Sequence, residues 1–253
     1  MNSNLTLVES YTLPSHGKVY NNVEVNPCIK LRSMTTNEEM KRLSHSDKPY
    51  AVIAEIIDDC LVENPGISAY DMCLGDYQFL LHRLRVVTYG NKYNTVTKCP
   101  YCYSTNEKAI NLDDIEVREY TADIEKYMEF DLPITKKHIR IRMQTPRMLD
   151  FVATKTKEFN KKSKSSSGDA AFLFTVQTLI DTVDGEKLDP IRLEEFVRKL
   201  PMMDTNYIIK YSDKLNEKVG INPILETDCD HCGLTYKNPF RITSEFFGPS
   251  IDI

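Results

Sequence analysis

The chain has 253 residues, 41% of them hydrophobic and 27% charged, with nine glycines, no tryptophan and a formal net charge of −5. That balance excludes a disordered or collagen-like chain and provides enough length to bury a core. Its mildly acidic charge opposes wholesale nucleic-acid binding unless cations are locally segregated.

Residues 6–32 read as short strands and turns, punctuated by Pro14, Gly17 and the Asn21–Asn22 pair. Thr35 or Thr36 can cap a helix, each with a glutamate three positions on. A second helix follows Asp47, with Pro49 in its first turn and Ile53, Ile56, Ile57, Cys60 and Leu61 along one face. A third covers about residues 75–87, burying Tyr77, Leu80, Leu81 and Leu84, and ends at Tyr89–Gly90. Residues 94–111 read as two strands around the turn from Cys99 to Cys102. Strands are expected at 127–132 and 138–143, where His138, Arg140 and Arg142 alternate with Ile139, Ile141 and Met143.

The second half reads as mostly helical. Thr145 and Pro146 open one helix, and KKSKSSSG (161–168) is a polar connector. The next helix is expected over 169–181, followed by a turn at Asp184–Gly185. Asp189 caps another helix at Pro190, and Asp204 is expected to cap the last one. The chain then becomes extended through Cys229 and Cys232 to Ile242. The fold class read from these elements is α+β: a mainly helical body with small β elements and a split ribbon.

The start, MNSNLTLVES, lacks the basic and apolar regions of a secretory signal, and residues 170–180 are too short an apolar run to span a bilayer. A reducing cytosol and no membrane partner are therefore expected. There, seven cysteines are poor disulfide candidates, and an odd number cannot all pair. Cys99, Cys102, Cys229 and Cys232 form two pairs, each with two intervening residues. That spacing lets a tight turn aim two sulfurs at one metal, and two such turns make a closed four-thiolate shell. The expected ion is a structural Zn2+. The pairs are separated by 126 residues. Closing such a loop costs on the order of 4 kcal/mol, whereas a structural zinc site contributes roughly 10–16 kcal/mol in small peptides. The expected organisation is therefore residues 1–115 together with 222–253, closed by the split ribbon, and a helical insertion over 116–221. A thiol redox pair, a four-thiolate iron site and two coincidental pairs compete with this reading. Cys28, Cys60 and Cys73 read as small buried hydrophobes.

Catalytic chemistry is hard to find. No GxSxG, HExxH or GxGxxG occurs, and Gly17–Lys18 lacks the rest of a phosphate loop. His16, His45, His82 and His138 show no partner spacing, and His231 sits within the second cysteine turn. Asp58 and Asp59 read as a solvated pair at a helix end, and Arg83 and Arg85 as cations near a helix C-terminus or as buried pairing groups. Neither enzyme activity nor a small-molecule substrate is expected.

Several segments in a fixed order resemble a known family: LPSHGKVY (13–20), LRSMTTNEE (31–39), LLHRLRVVTYG (80–90), KCPYC (98–102), CDHCG (229–233) and FFGPS (246–250). The chain resembles the baseplate hub and hub-assembly proteins of T-even-type contractile-tailed bacteriophages over about residues 10–110 and 225–250. The resemblance implies a non-enzymatic protein that helps build the tail hub in the host cytoplasm, with other phage hub proteins as partners. It transfers no catalytic residue. The alternative is a zinc-ribbon nucleic-acid-binding module: Lys92, Lys98 and Lys108 with Tyr93, Tyr101 and Tyr103 favour it, and Asp228 and Asp230 oppose it. The linker and the apolar tail, Phe246, Phe247, Ile251 and Ile253, offer further surfaces for packing or for partners.

Overall fold

Alternating burial builds the first sheet. Val8–Thr12 (β1) pairs antiparallel with Cys28–Arg32 (β2), which turns Ile29 and Leu31 inward. In this computed structural model, residues 6–20, 23–162, 170–240 and 244–247 are described. Asn21–Asn22, the connector from Ser163 to Gly168, Ile242, Ile251 and Ile253 lie outside them.

Thr35, not Thr36, is the N-cap of Thr36–Arg42 (α1), and its capping box with Glu38 is complete. Pro49–Cys60 (α2) begins at its proline, and Leu74–Tyr89 (α3) buries the expected stripe and stops at Gly90. Lys92–Lys98 (β3) and Thr105–Asn111 (β4) form the first long hairpin. Val117–Arg118 (β5), Glu125–Met128 (α4), Glu129–Asp131 (β6) and His138–Ile141 (β7) follow. Pro146–Lys162 (α5), Ala170–Leu179 (α6), Ile180–Val183 (β8), Pro190–Lys199 (α7) and Met202–Asn216 (α8) complete the helical part. Gly220–Ile221 (β9) pairs with β5, and Ile224–Asp228 (β10) with Thr235–Pro239 (β11) makes a second hairpin. The architecture is α+β, with eight α-helices and small antiparallel sheets among the described residues.

Two apolar clusters form. The first gathers Leu13, Leu31, Ile57, Leu80 and Leu84 and takes in Phe240, Phe246 and Phe247 from the end of the chain. The second lies between the three-stranded sheet β6–β7–β8 and the helices α6, α7 and α8, around Ile139, Ile141, Val176 and Ile208. They meet where α3 starts. A Cβ at Gly75 would stand 2.3 Å from the Val219 carbonyl oxygen, and one at Gly220 would stand 2.5 Å from the Gly75 Cα. Only two residues without Cβ atoms allow this approach.

Several expectations need correction. Asp204 does not cap α8: Pro201 is its N-cap, and the buried Asp204 carboxylate instead accepts the N–H groups of Ile134 (2.8 Å) and Thr135 (3.0 Å). The helix expected over 169–181 ends at Leu179, because Ile180–Val183 pairs with β7. Tyr127 and Met128 belong to α4 rather than to a strand. Asp58 is not a solvated group: it accepts from the Ser68 hydroxyl (2.6 Å) and the Ala69 N–H (2.8 Å). Arg85 is fully buried and donates to the carbonyls of Phe246 and Gly90, whereas Arg83 pairs with Asp113 at 2.7 Å. Cys28 is exposed, unlike the buried Cys60 and Cys73.

Candidate metal centre

The site is made by two turns of the same design. In the first, the Tyr103 N–H donates to the Cys99 carbonyl and the Cys99 N–H to the Ser104 carbonyl. In the second, the Gly233 N–H donates to the Cys229 carbonyl and the Cys229 N–H to the Leu234 carbonyl. Each turn places the residue after its second cysteine in the left-handed region: Tyr103 at φ 61° and Gly233 at φ 72°. The glycine does this without a Cβ clash, and the tyrosine does not.

The two hairpins are brought together by contacts beyond the sulfurs. The hydroxyls of Thr97 and Tyr236 lie 2.6 Å apart in a buried contact. The Asp230 N–H donates to the Asn106 side-chain oxygen at 2.9 Å, and Lys108 pairs with the Asp230 carboxylate. Cys99, Cys229 and Tyr236 form a small buried cluster of their own, with Cys102 against it.

The four sulfurs all lie within 4.8 Å of one another. Cys99 Sγ is 3.8 Å from Cys232 Sγ, and Cys102 Sγ is 3.6 Å from Cys229 Sγ. A disulfide requires about 2 Å, and all four thiols are free. Four thiolates at about 2.3 Å from one tetrahedral ion would be spaced about 3.8 Å apart, so the donor set fits a metal. The Ser104 hydroxyl is 3.1 Å from Cys102 Sγ and 3.3 Å from Cys229 Sγ.

Two of the thiols are pulled down and one is pushed up. Cys229 is lowered to about 5, first by the Ser104 hydroxyl and then by the Cys232 N–H. Cys102 is also lowered, chiefly by Ser104. At Cys232 the Leu234 N–H pulls downward, but desolvation and the neighbouring sulfurs outweigh it and push the thiol up to about 12. A divalent cation would replace the retained protons and remove the repulsion among thiolates.

The remaining sequence candidates scatter. His231 is exposed, and among the described residues the four cysteines are the only grouped metal donors. Tyr93 packs edge-on against Phe240 and Phe246 rather than facing out. Tyr101 and Tyr103 are exposed. Sequence reasoning missed Ser104, Thr97 and Asn106. Ser104 follows the left-handed residue of its turn, and nothing in the cysteine spacing marks its hydroxyl contact.

A family model described as T4 bacteriophage base plate protein matches residues 8–248, almost the entire chain. The chain belongs to that family. Membership makes this base plate protein a phage structural protein associated with the tail and with other phage structural proteins. No curated protein and no solved structure matches it. No helix among its described residues is long and apolar enough to cross a membrane.

Proposed function

We propose that this base plate protein takes part in building the tail hub, in the host cytoplasm, through contacts with other hub proteins. Cys99, Cys102, Cys229 and Cys232 hold one structural Zn2+ that joins the two hairpins. The observation that carries the metal reading is the pair of 3.6 and 3.8 Å sulfur separations, which suit a four-thiolate tetrahedron. Zinc is favoured because it is the usual ion of closed four-cysteine sites with paired spacing. A shell with no position left for water supports structure rather than catalysis.

The insertion reading over residues 116–221 is supported by the two apolar clusters. The first draws its buried residues from both ends of the chain, and the second draws almost all of its buried residues from the middle. On this reading the zinc clasps the ends while the middle packs as its own layer. The hub role is tested by affinity purification of the tagged chain from cells producing phage, with identification of the copurifying chains. Enrichment of hub proteins supports it, and their absence alongside intact, zinc-loaded protein refutes it. A salt-dependent gel shift would instead favour the nucleic-acid module. Against that module, Asp230 neutralises Lys108, and Glu107 shares the exposed strand face with Lys98.

A further inference from the structure

The four cysteines are not equally reachable. Cys232 is exposed and Cys102 is half-buried, whereas Cys99 and Cys229 are buried. Two sulfur contacts cross from one hairpin to the other: Cys232 Sγ stands 3.8 Å from Cys99 Sγ, and Cys102 Sγ stands 3.6 Å from Cys229 Sγ. Each crossing contact therefore joins a reachable sulfur to a sheltered one. A small oxidant attacks a reachable thiolate first, and a second sulfur in contact with it completes a disulfide. The hairpins also touch apart from the sulfurs. The Thr97–Tyr236 hydroxyl contact and the hydrogen bond from the Asp230 N–H to Asn106 span the same interface. They keep the crossing sulfurs opposite each other while a covalent bond forms.

We propose that peroxide converts the four-thiolate site into two disulfides that cross between the hairpins, Cys99–Cys232 and Cys102–Cys229, so that a covalent staple takes over from the metal clasp. The proposal rests on the metal reading for its starting state. The Cys232 thiolate attacks one peroxide oxygen: an S–O bond forms, the O–O bond breaks and hydroxide leaves. The Cys99 thiolate then attacks the Cys232 sulfur: the S–S bond forms, the S–O bond breaks and a second hydroxide leaves. Cys102 and Cys229 react in the same way with a second peroxide. Each disulfide sends two electrons to one peroxide. Four thiolates and two peroxides thus become two disulfides and four hydroxides, and the metal ion is released. The staple keeps the hairpins joined in oxidising surroundings, where free thiolates do not persist.

Peroxide titration of the full, zinc-loaded chain tests this. Released zinc is read with a coloured chelator, and cysteine pairing by mass spectrometry of alkylated, unreduced peptides. Cys28→Ser removes the exposed thiol that lies outside the cluster from the count. The expected result is one zinc released for every two peroxides consumed, with peptides crosslinked from Cys99 to Cys232 and from Cys102 to Cys229. Reduction with dithiothreitol restores zinc binding. A sulfenic-acid trap added with limiting peroxide labels Cys232 before Cys102. The oxidised chain melts higher than the reduced, metal-free chain. Pairing within a turn, Cys99 to Cys102 or Cys229 to Cys232, overturns the proposal and leaves the metal reading standing. Sulfinic acids in place of disulfides, or an oxidised chain that melts lower, do the same. A chain without zinc that still gives the crossing pairs overturns the metal reading and supports the pairing.

Discussion

Replacing Asp76 by alanine tests how the N-terminal loop is fixed to α3. The Asp76 carboxylate is fully buried in the first turn of that helix. It accepts from the Ser15 N–H at 2.9 Å, from the Tyr20 hydroxyl at 2.6 Å and from the Ser15 hydroxyl. Asp76→Ala leaves the Ser15 N–H and hydroxyl without this acceptor and the Tyr20 hydroxyl with only Cys73 Sγ at 3.5 Å, and each unsatisfied buried group costs about 1–3 kcal/mol. The hydroxyls can partly reorient, and removing a desolvated carboxylate returns some free energy. The expected net loss is about 3–5 kcal/mol, in the range for breaking a buried polar network. Urea unfolding of zinc-loaded protein, extrapolated to water, measures it. The pH dependence gives a second check. Burial raises the Asp76 carboxyl above its ordinary value of 3.8, although the hydrogen bonds oppose the rise. Its contribution is therefore complete below that value and declines as pH rises toward the folded value. The gap between parent and variant is larger near pH 4 than near pH 7. A loss under about 1 kcal/mol, or a gap that widens with pH, would show that Asp76 does not anchor the loop.

Asp204→Ala removes the acceptor for the Ile134 and Thr135 amides and is expected to cost about 3 kcal/mol by urea unfolding. Desolvation pushes Asp204 up, but those two amides together with the Thr135 hydroxyl and the Lys136 charge outweigh it and hold it below its ordinary value, so its contribution is lost as pH falls through the folded value. Gly75→Ala forces a Cβ against the Val219 carbonyl and lowers stability by about 3 kcal/mol or more, read as a drop in melting temperature; an unchanged melt contradicts the packing described. Ser104→Ala removes the hydroxyl next to Cys102 and Cys229 and weakens metal affinity about 10-fold in a competition titration with a coloured chelator.

The legible parts of the fold were those written locally. The capping box at Thr35, the stripe on α3, the Asp189 cap before Pro190 and the two cysteine turns all follow from spacing over a few residues. The parts that were not legible depend on partners far along the chain. Asp204 sits near a helix start, where a cap is the natural expectation, yet its partners are 69 and 70 positions away. Ile180–Val183 follows a helical pattern without a break, and only pairing with His138–Ile141 makes it a strand. Gly75 and Gly220 look ordinary in sequence, and their role appears only when the two backbones meet. At the four-cysteine cluster the paired spacing is legible, but the part of Ser104 is not, because its hydroxyl reaches across to the other hairpin at Cys229.

On the proposed reading, one metal ion on four thiolates clasps the two hairpins. X-ray absorption at the zinc edge, on full-length protein purified without chelator, tests it most directly. One zinc per chain is expected, with four sulfur neighbours at about 2.3 Å and no nitrogen or oxygen in the shell. Substoichiometric zinc, a mixed sulfur and nitrogen shell, or iron in its place would contradict it.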